Sequence, residues 1–497
     1  MEKQNANSER PIFENISPLD HRYSISEKLV FDALSPFLSE NAMVRACVKA
    51  EIALINAHLK MRGKHGDQLT ERLKSLENRI SPDEVYSEEA KTKHFVRALV
   101  NVMKAKLIDG CSGQNDLAEL APYVHLGATS ADILDSASSY RIMGATRQVV
   151  LPLLIDLELL LCDFAEKEAE TTQVGRTHGQ HAVPVTLGFA ISEYVSRLGK
   201  SILQIKRLST RLKGKLAGAV GAYNATSMIV RKPLDLERLY LNELGLCPSE
   251  HSTQLVEPEY LLRLLLEFNT AFGIIANLAD DLRNLQRSEI GEIREGFAGD
   301  QVGSSTMPQK RNPWNSEHVK SLWKSFMPRV MTFYMDQISD HQRDLTNSAS
   351  ARFIAEYITG FAMAASRMAD VVKSIGVDKE RLRQNLCGTT NGGGLMAEPA
   401  YILLAESGVS DAHEVIRRIT LRCEKNGSSF AQELQAEETA LQRITNKMLD
   451  LGLIQNSDTD EALIFFKSPS RYCGLAAQKA VDLSQKYRAI MKKMGHL

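Results

Sequence analysis

The stretch from residue 260 to residue 286 reads YLLRLLLEFNTAFGIIANLADDLRNLQ and decides the fold. Its apolar residues recur at alternating intervals of four and three, which is the spacing of one face of an α-helix. This face consists of Leu261, Leu265, Phe268, Phe272, Ile275, Ala279 and Leu282. A second apolar face consists of Leu264, Leu266, Ile274 and Leu278. A helix of about 27 residues is about 40 Å long, and because this one is apolar on two faces, we expect it inside a bundle.

Four more long helices are expected around this one. The same spacing recurs between residues 350 and 375, and further apolar periodic segments span residues 131–168, 183–212 and 314–342. Pro152 is expected to kink or divide the helix at 131–168, because proline has no N–H to donate and its ring displaces the preceding turn. Alternation typical of β-strands is scarce. The sequence therefore predicts an all-α protein with a central long-helix bundle.

The segments that flank the bundle have shorter apolar periodic stretches than the bundle itself. The N-terminal part carries shorter amphipathic stretches, such as residues 27–61, and the C-terminal part is broken at Asn426-Gly427 and at Gly452. Glycine in a helical pattern marks an end or a turn. We therefore predict three helical domains: an N-terminal helical domain at 1–128, the long-helix bundle domain at 129–376, and a C-terminal helical domain at 377–497.

The composition excludes several classes of protein. Of the 497 residues, 43% are hydrophobic and 24% are charged, which is typical of a globular chain and excludes extended disorder. The 60 basic and 61 acidic side chains give a formal net charge of −1, so no bulk basic field attracts nucleic acid or an anionic membrane. An anionic ligand must therefore be bound by local arginines and lysines.

Cysteine usage and the N-terminus indicate the compartment. The seven cysteines are isolated and form no CxxC pair, which argues against a disulfide framework and against a zinc ribbon. The first fifteen residues are polar and lack the apolar core of a signal peptide. We therefore expect a cytoplasmic protein that binds neither nucleic acid nor membrane.

The most informative loop is GSSTMPQKRNP at residues 303–313. A polar, glycine-bearing segment at residues 295–300 precedes it, and a proline at its end is placed to start the next helix. Backbone N–H donors together with Ser305, Lys310 and Asn312 suit a carboxylate whose negative charge grows during a reaction. The same composition is also typical of a solvated loop between helices, and the loop alone does not separate the two interpretations.

Two histidine-bearing segments add to this hypothesis. In VHLGATSADILD, residues 124–135, Thr129 and Ser130 precede a long apolar run, which indicates a helix N-terminus that either binds an anion or is simply capped. In RTHGQH, residues 176–181, His178 is a candidate general acid or base, because imidazole titrates near neutral pH. A lone histidine is more often a polar residue with an ordinary structural partner. No HExxH pattern or third ligand of fixed spacing accompanies it, so no metal site is expected.

Taken with these segments, the serine loop resembles the signature of the superfamily that contains fumarase, aspartase, argininosuccinate lyase and adenylosuccinate lyase. Within it, the order and spacing of further blocks are most similar to the adenylosuccinate lyase family. These blocks are ISPLDHRY (16–23), HLGATS (125–130), RTHGQ (176–180), GAVGAYN (218–224), TQ (253–254) and QRDLT (342–346). The resemblance spans residues 16 to about 420. The serine loop is specific for the superfamily, and the other blocks are less specific for the branch.

The resemblance implies an activity and an assembly. It implies a homotetramer in which the central helices form a twenty-helix core and each active site is assembled from three subunits. It implies a carbon-nitrogen lyase of purine biosynthesis that releases fumarate from adenylosuccinate, giving AMP, and from the succinyl form of aminoimidazole carboxamide ribotide. No metal or other cofactor is implied. The proton that is removed lies next to a carboxylate, so the intermediate is a dianion at one carboxyl group, and stabilising it is the main catalytic task.

The resemblance also implies roles for individual residues. The implied catalytic set is Ser305 as general base, His178 as general acid, Glu317 as the carboxylate that orients it, and Lys310. The implied substrate-binding set is Arg22, Tyr23, His94, His125, Thr129, Ser130, Asn224, Gln254, Asn312, Arg343, Ser348 and Arg352. The succinyl carboxylates are matched by Lys310, Asn312, Thr129 and Ser130. The nucleotide phosphate, which suits guanidinium forks, is matched by Arg22, Tyr23, Arg343, Ser348 and Arg352.

Two positions depart from the family pattern. Phe95 follows His94 where the family usually has aspartate, and Gln309 replaces a histidine common in the adenylosuccinate branch, as it does in argininosuccinate lyases. Two alternatives therefore stay open. One is a sister lyase or cycloisomerase of argininosuccinate or carboxymuconate type, which has no use for the phosphate-binding arginines together. The other is a non-catalytic, crystallin-like structural protein, which gains nothing from polar groups aimed into a cleft.

Overall fold

The computed structural model describes residues 11–64, 66–109, 117–297, 303–388 and 394–495. Three features of the sequence lie partly or wholly outside these ranges. They are the first ten residues, on which the expected lack of a signal peptide partly rests, Cys111, and the Ala298–Asp300 part of the segment that precedes the serine loop.

Helices dominate the described residues, which confirms the predicted all-α class. Those before the longest helix are α1 (Arg22–Ser26), α2 (Lys28–Leu38), α3 (Glu40–Met61), α4 (Asp67–Lys74), α5 (Pro82–Thr92), α6 (Phe95–Asp109), α7 (Ser130–Ala145), α8 (Leu151–Lys167), α9 (Leu187–Ser209), α10 (Asn224–Ile229) and α11 (Pro233–Glu243). The longest helix and those after it are α12 (Glu259–Leu285), α13 (Trp314–Phe326), α14 (Arg329–Met335), α15 (Ile354–Ser374), α16 (Lys379–Cys387), α17 (Ala397–Glu406), α18 (Ala412–Asn426), α19 (Phe430–Gln435), α20 (Glu438–Asp450), α21 (Thr459–Phe466) and α22 (Ala476–Gly495).

Six short strands form three two-stranded sheets. They are β1 (Thr172–Thr177), β2 (Gln180–Thr186), β3 (Lys213–Gly214), β4 (Cys247–Pro248), β5 (Ile293–Arg294) and β6 (Gly376–Val377). The largest sheet is the antiparallel hairpin of β1 and β2, while β3 pairs with β4 and β5 pairs with β6 over two residues each. Of these three sheets, the hairpin matters most for the site, because its turn carries His178.

The apolar periodicity located the two most regular long helices. The segment 260–286 forms α12, and the segment 350–375 forms α15 after a short 3₁₀ turn. The segment 131–168 forms α7, a π-helical turn at Thr146–Val150, and α8. The wide turn directly precedes Pro152, whose ring nitrogen donates no hydrogen bond to the turn before it. The expected interruption at this proline is therefore confirmed.

Two predicted helices are wrong in extent. The helix expected from residue 183 begins at Leu187, because residues 183–186 pair with β1 as the end of β2. The helix expected at 314–342 ends at Phe326, and a separate short helix, α14, follows Pro328. Proline donates no backbone hydrogen bond and disfavours helical geometry in the residue before it. Apolar periodicity continued through both boundaries and did not reveal them.

The described chain divides into two compact units. Unit 1 comprises the residues up to Leu154, Lys200–Gly273 and Ser321–Ser366, and unit 2 comprises Ile155–Gly199, Ile274–Lys320 and the residues from Arg367 onward. The long helices α8, α9, α12 and α15 each contribute residues to both units. This division does not test boundaries at 128 and 376, so the three-domain arrangement stays a prediction.

Each unit has its own apolar core. In unit 1, α3 is buried on almost every face from Val44 to Leu59, and Phe268 and Phe272 of α12 pack on Phe361 of α15 with ring centres 5.3 and 5.5 Å apart. Although α12 is long and apolar enough to cross a membrane by length and composition, most of its apolar window is buried within the protein. It is the interior bundle helix that its two apolar faces predicted. In unit 2, the helices from α17 to α21 enclose a second core.

Unit 2 also contains a buried carboxyl group without a partner. Glu158 of α8 is fully buried, and neither of its oxygens has a hydrogen-bond partner among the described residues. A Cβ atom at Gly199 of α9 would come within 2.8 Å of a Glu158 oxygen and 2.3 Å of the Tyr487 ring of α22, so this glycine leaves the space that both side chains occupy. Burial raises the pKa of Glu158 well above its ordinary value. The group therefore keeps its proton to higher pH in the folded chain than in the unfolded chain.

We expect Glu158→Gln to change how stability depends on pH. With a raised pKa in the folded state, wild-type stability is lost as pH rises above the ordinary carboxyl pKa, by up to about 1.4 kcal/mol per pH unit. The amide does not titrate, so the melting temperature of the variant relative to wild type should rise as the pH is raised above the ordinary carboxyl pKa. As a control, Glu414→Gln removes an exposed carboxylate whose pKa is lowered by Arg417, and it should show no such trend. A pH-independent difference for Glu158→Gln would contradict the assignment.

Candidate active site

A cavity of about 580 Å³ lies in unit 1, between the start of α6 and the loop that leads into α7. Three of the predicted substrate-binding residues line it: His94, His125 and Ser130. Two cations that were not singled out in the sequence, Arg97 and Lys104, line it as well. They lie three and ten residues after His94, so both project from one face of α6, and that spacing is the signal that could have identified them.

His94 is held at the start of α6. Its Nδ1 accepts a hydrogen bond from the Arg97 backbone N–H at 3.2 Å, so the imidazole caps the helix and Nε2 stays available. The neighbouring Phe95, which replaces the family's aspartate, packs on the apolar core and near Tyr86, with ring centres 6.2 Å apart. The departure therefore places an apolar side chain against the core where the family pattern has an acidic one.

His125 is held by a buried carboxylate. Its Nδ1 lies 2.7 Å from Glu51 Oε1, and its backbone N–H donates to Glu51 Oε2 at 2.9 Å. Glu51 is fully buried on α3, whereas 22% of the His125 side chain is exposed. The backbone of His125 has a φ of 62°, which is the left-handed region that non-glycine residues rarely adopt. This arrangement fixes both the loop and the ring.

Thr129 and Ser130 form the N-terminus of α7, as predicted. The Thr129 backbone N–H donates to Asp132 Oδ2 at 2.8 Å, so Asp132 returns to the cap as in a capping box. The capping alternative is therefore present at Thr129, while Ser130 is the first helical residue and lines the cavity. Free N–H groups and the positive end of the helix dipole favour an anion at this position.

A buried ion pair fixes the start of α7. Lys215 and Asp132 are both fully buried, and the Lys215 ammonium donates to Asp132 Oδ1. Asp132 also accepts the backbone N–H groups of Ala217 at 3.1 Å and Gly218 at 3.2 Å, and the Tyr240 hydroxyl donates to its carbonyl at 2.9 Å. These bonds join the Thr129 cap to the GAVGAYN block. Neither Lys215 nor Asp132 was predicted to matter, because their role appears only when the two segments are brought together.

Three further predicted residues lie on loops that approach this cap. Gly221 passes so close to Ser252 that a Cβ would lie 1.9 Å from its carbonyl oxygen, which places the Asn224 loop against the segment that carries Gln254. The Gln254 N–H in turn donates to the Gln342 carbonyl at 3.2 Å, next to Arg343. The structure thus places the start of α10, with Asn224, beside the neighbouring loops of unit 1 that carry Gln254 and Arg343.

A half-buried aspartate on α7 ties these loops to the helix. Asp135 accepts the Val256 backbone N–H at 2.9 Å. Burial raises the pKa of Asp135 to about 6, and the Val256 hydrogen bond and the charges of Lys215 and Arg343 oppose that rise. The positive charges of Lys215 and Arg343 therefore act on the Asp135 carboxyl group of α7 as well as on any ligand that binds here.

The rest of the predicted phosphate set lies on two other segments. Arg22 and Tyr23 lie at the start of α1, and Ser348 and Arg352 lie before α15. Arg22, Ser348 and Arg352 are exposed.

Unit 2 carries the predicted catalytic residues, and His178 lies at the tip of the hairpin. The strands pair up to Thr177 and Gln180, which leaves His178 and Gly179 as a two-residue turn. Their φ values are 53° and 73°, as a type I′ hairpin turn requires. The imidazole is exposed, and it has no hydrogen bond to another side chain in the part of the chain that the structure describes. RTHGQ is therefore a strand, a turn and a strand.

Arg176 of the same motif anchors the hairpin. Its guanidinium donates to Glu292 at 2.5 and 3.1 Å as a two-pronged pair. Glu292 is fully buried and also accepts from the side chains of Gln173 at 2.6 Å and Asn385 at 2.9 Å. The buried carboxylate thus connects β1 to α16 and holds the turn that presents His178.

The serine loop closes on itself. The Asn312 side chain donates to the Gly303 carbonyl at 3.0 Å, and a Cβ at Gly303 would lie 2.1 Å from the Lys310 carbonyl oxygen. Ser304 accepts the Met307 backbone N–H at 3.1 Å. Ser305 and Lys310 are left exposed on the loop, so the local bonds of Ser304 and Asn312 shape a loop that presents the predicted base and cation.

Glu317 lies in the first turn of α13 and is exposed. The carboxylate that caps this helix is Glu295, which accepts the backbone N–H of Ser316 at 3.0 Å and its hydroxyl at 2.5 Å. No hydrogen bond links Glu317 or Ser305 to His178 within one copy of the described chain. The roles of these three residues remain predictions from the resemblance.

Comparison with known sequences places the chain among lyases. It matches the family model described as lyase over residues 20–325 and the model described as adenylosuccinate lyase C-terminal over residues 339–453. The adenylosuccinate lyase of Pyrococcus abyssi (strain GE5 / Orsay) is 31% identical over 441 residues, which cover 88% of this chain and 93% of that protein. The adenylosuccinate lyase of Methanocaldococcus jannaschii is 30% identical over 477 residues, which cover 93% of this chain and 94% of that protein.

Solved structures share the fold. The 3-carboxy-cis,cis-muconate lactonizing enzyme from Pseudomonas putida superposes with a TM-score of 0.76 over 92% of this chain and 97% of that chain, at 23% identity. A fumarate lyase from Mesorhizobium sp. BNC1 superposes with a TM-score of 0.76 over 91% of this chain and 97% of that chain, at 19% identity. At these identities the likeness concerns the fold alone.

Proposed function

The chain belongs to the lyase family and, within it, to the adenylosuccinate lyases; from that premise we propose that it splits adenylosuccinate into AMP and fumarate. We propose that it also releases fumarate from the succinyl form of aminoimidazole carboxamide ribotide. The observation that carries the proposal is the similarity to named adenylosuccinate lyases, at about 30% identity over most of the chain. The match at 339–453 adds to it, because that model is described as the C-terminal part of adenylosuccinate lyase.

The proposed reaction is a β-elimination. A base removes a proton from the succinyl carbon next to one carboxylate, the electron pair of that C–H bond becomes the carbon-carbon double bond of fumarate, and the carbon-nitrogen bond breaks. The leaving nitrogen takes a proton from a general acid. We assign Ser305 as the base and His178 as the acid, with Glu317 orienting the imidazole. Ser305 on its loop and His178 on its turn are both exposed, so each side chain is accessible to a substrate.

Negative charge accumulates on the succinyl carboxylate before the carbon-nitrogen bond breaks. Lys310, Asn312 and the α7 N-terminus at Thr129 and Ser130 are proposed to bind the carboxylates and stabilise that charge. The cavity supports an anionic ligand, because its lining includes two cations and no acidic side chain among the described residues. The nucleotide phosphate is assigned to Arg22, Tyr23, Arg343, Ser348 and Arg352, with His94, His125, Asn224 and Gln254 completing the substrate contacts.

We propose a homotetramer in which residues of several copies complete each active site. Apolar side chains on and beside α14 support a large interface: Met331, Met335 and Ile338 are 63%, 69% and 77% exposed in one chain. Contiguous exposed apolar surface of this kind marks a binding face. A cytoplasmic location follows from the proposed role in nucleotide synthesis, and the near-neutral charge gives no support for nucleic acid or membrane as a partner.

The first test supplies the substrate directly. Purified protein should convert adenylosuccinate to equimolar fumarate and AMP, which absorbance and chromatography follow together. Argininosuccinate and a carboxymuconate serve as alternative substrates, since they lack the phosphate for which Arg343 and Arg352 are assigned. Turnover of either alternative in preference to adenylosuccinate would replace the proposal with the sister-enzyme interpretation, and turnover of none would favour the structural one.

Ser305→Ala and His178→Ala should each lower kcat for adenylosuccinate by about a hundredfold or more, because each removes a proton-transfer group. The oligomeric state, measured by light scattering, should not change. Ser457→Ala and His413→Ala replace an exposed serine and an exposed histidine of the C-terminal region, and they should keep wild-type kcat. Wild-type turnover in either test variant would show that the role given to that residue is wrong.

Arg343→Ala should raise KM for adenylosuccinate more than it lowers kcat. Losing one charge-assisted hydrogen bond to a phosphate is worth about 1.5–3 kcal/mol, or about tenfold to a hundredfold in affinity. Arg417→Ala, which breaks an exposed pair with Glu414 on α18, is the matched control and should leave KM unchanged. A fall in kcat at constant KM would place Arg343 at the reacting bond instead.

A further inference from the structure

We propose that Glu51 is a positioning residue that fixes His125 so that its Nε2, which carries no hydrogen, accepts a hydrogen bond from a donor group of the substrate in the unit 1 cavity. The inference rests on the proposed function for the identity of the ligand, and on the geometry of Glu51 and His125 for everything else. Glu51 lies outside every sequence block that pointed to the family, 74 residues before the histidine that it contacts.

The position of Glu51 is unusual for a carboxylate. It lies in the middle of α3, surrounded by apolar residues of the unit 1 core, and none of its surface is exposed. A buried carboxylate is strongly unfavourable unless hydrogen bonds satisfy it. Both bonds that satisfy it come from one residue: Oε2 accepts the His125 backbone N–H and Oε1 meets His125 Nδ1. The carboxylate is therefore matched to the conformation of His125 alone.

The His125 loop needs such a restraint. His125 has a φ of 62° and Gly127 a φ of 80°, and a left-handed conformation is strained for a non-glycine residue. About two turns further along α3, the Nε2 of His58 donates a hydrogen bond to the Leu126 carbonyl at 2.9 Å. Arg62 donates to His58 Nδ1 at 3.0 Å, so His58 is the neutral form, and burial lowers its pKa accordingly. Two buried groups on one face of α3 thus hold consecutive residues of the loop.

The contact also fixes the proton on the ring. A carboxylate only accepts hydrogen bonds, so Nδ1 of His125 must carry the hydrogen. Nε2 is then the ring nitrogen left for a ligand in the cavity that His125 lines. Without a hydrogen, Nε2 accepts a hydrogen bond from a hydroxyl or N–H group of the ligand. Arg97 and Lys104 line the same cavity, so they are the partners for the anionic part of that ligand. With the proposed substrate, the donors that could meet Nε2 are its ribose hydroxyl and N–H groups.

Glu51→Gln tests the contact with nearly the same shape. A glutamine has one acceptor, so if its oxygen keeps the backbone N–H, its NH₂ group faces Nδ1 and the ring hydrogen moves to Nε2. We expect KM for adenylosuccinate to rise about tenfold or more, with a smaller change in kcat. Glu51→Asp keeps two acceptor oxygens and should recover part of the loss. Glu77→Gln, which removes the carboxylate that pairs with Lys49 outside the cavity, should match wild type.

A double variant separates positioning from general structural support. Because Glu51 is proposed to act only through His125, Glu51→Gln combined with His125→Ala should be no worse in KM than His125→Ala alone. Additive losses would overturn the proposal. Melting temperatures identify a variant that does not fold. If Glu51→Gln does not fold, Glu51→Asp takes its place in the comparison with wild type.

A chemical readout does not depend on turnover. Diethyl pyrocarbonate reacts with an imidazole nitrogen that lacks a hydrogen, so His125, with Nε2 free of hydrogen, should be modified faster in wild type than in Glu51→Gln, as peptide mass spectrometry measures. Equal rates with unchanged KM would refute the role of Glu51. A protein that shows the rate difference but does not cleave adenylosuccinate would disprove the proposed function and leave the positioning intact.

Discussion

The buried pair of Lys215 and Asp132 is the interaction on which the unit 1 site depends. Removing two charges from water costs several kcal/mol per ion, and only close pairing with further hydrogen bonds offsets that cost. Here the carboxylate also accepts two backbone N–H groups, and the ammonium also donates to the Gly218 carbonyl at 3.2 Å. The pair therefore requires one relative placement of the α7 N-terminus and the GAVGAYN loop. Thr129, Ser130 and Asn224 are placed as a result.

A buried carboxylate also restrains the backbone at both histidine loops. His125 and His178 have left-handed backbones, with φ of 62° and 53°, and each lies beside a fully buried glutamate: Glu51 for the first and Glu292, through Arg176, for the second. A strained turn persists only where its surroundings over-determine it. A buried carboxylate is an effective restraint because any movement that breaks its bonds leaves it unsatisfied. Strain and burial therefore keep two imidazoles presented at the surface.

The sequence predicted what depends on nearby residues. Apolar periodicity located α12 and α15 to within a few residues, because a helix that is buried on two faces repeats its apolar pattern over its whole length. The same pattern ran past Pro328 and through β2, because periodicity records burial more clearly than it records where a backbone turns. The contacts of Glu51 and Lys215 join segments 74 and 83 residues apart, and no local pattern encodes them. The roles of Ser305 and His178 came from resemblance, and the geometry of a single chain neither supplies nor requires them.

Phe95 illustrates how a departure from a family pattern follows a physical logic. An aspartate beside His94 would add a negative charge next in sequence to a residue that lines the cavity and two residues before Arg97, which also lines it. Opposite charges attract, so such a carboxylate would compete with an anionic ligand for a nearby cation. With phenylalanine in place, the side chain packs on the core and near Tyr86 instead. The described lining of the cavity therefore carries two cations of α6 and no carboxylate, which is the charge balance that an anionic ligand requires.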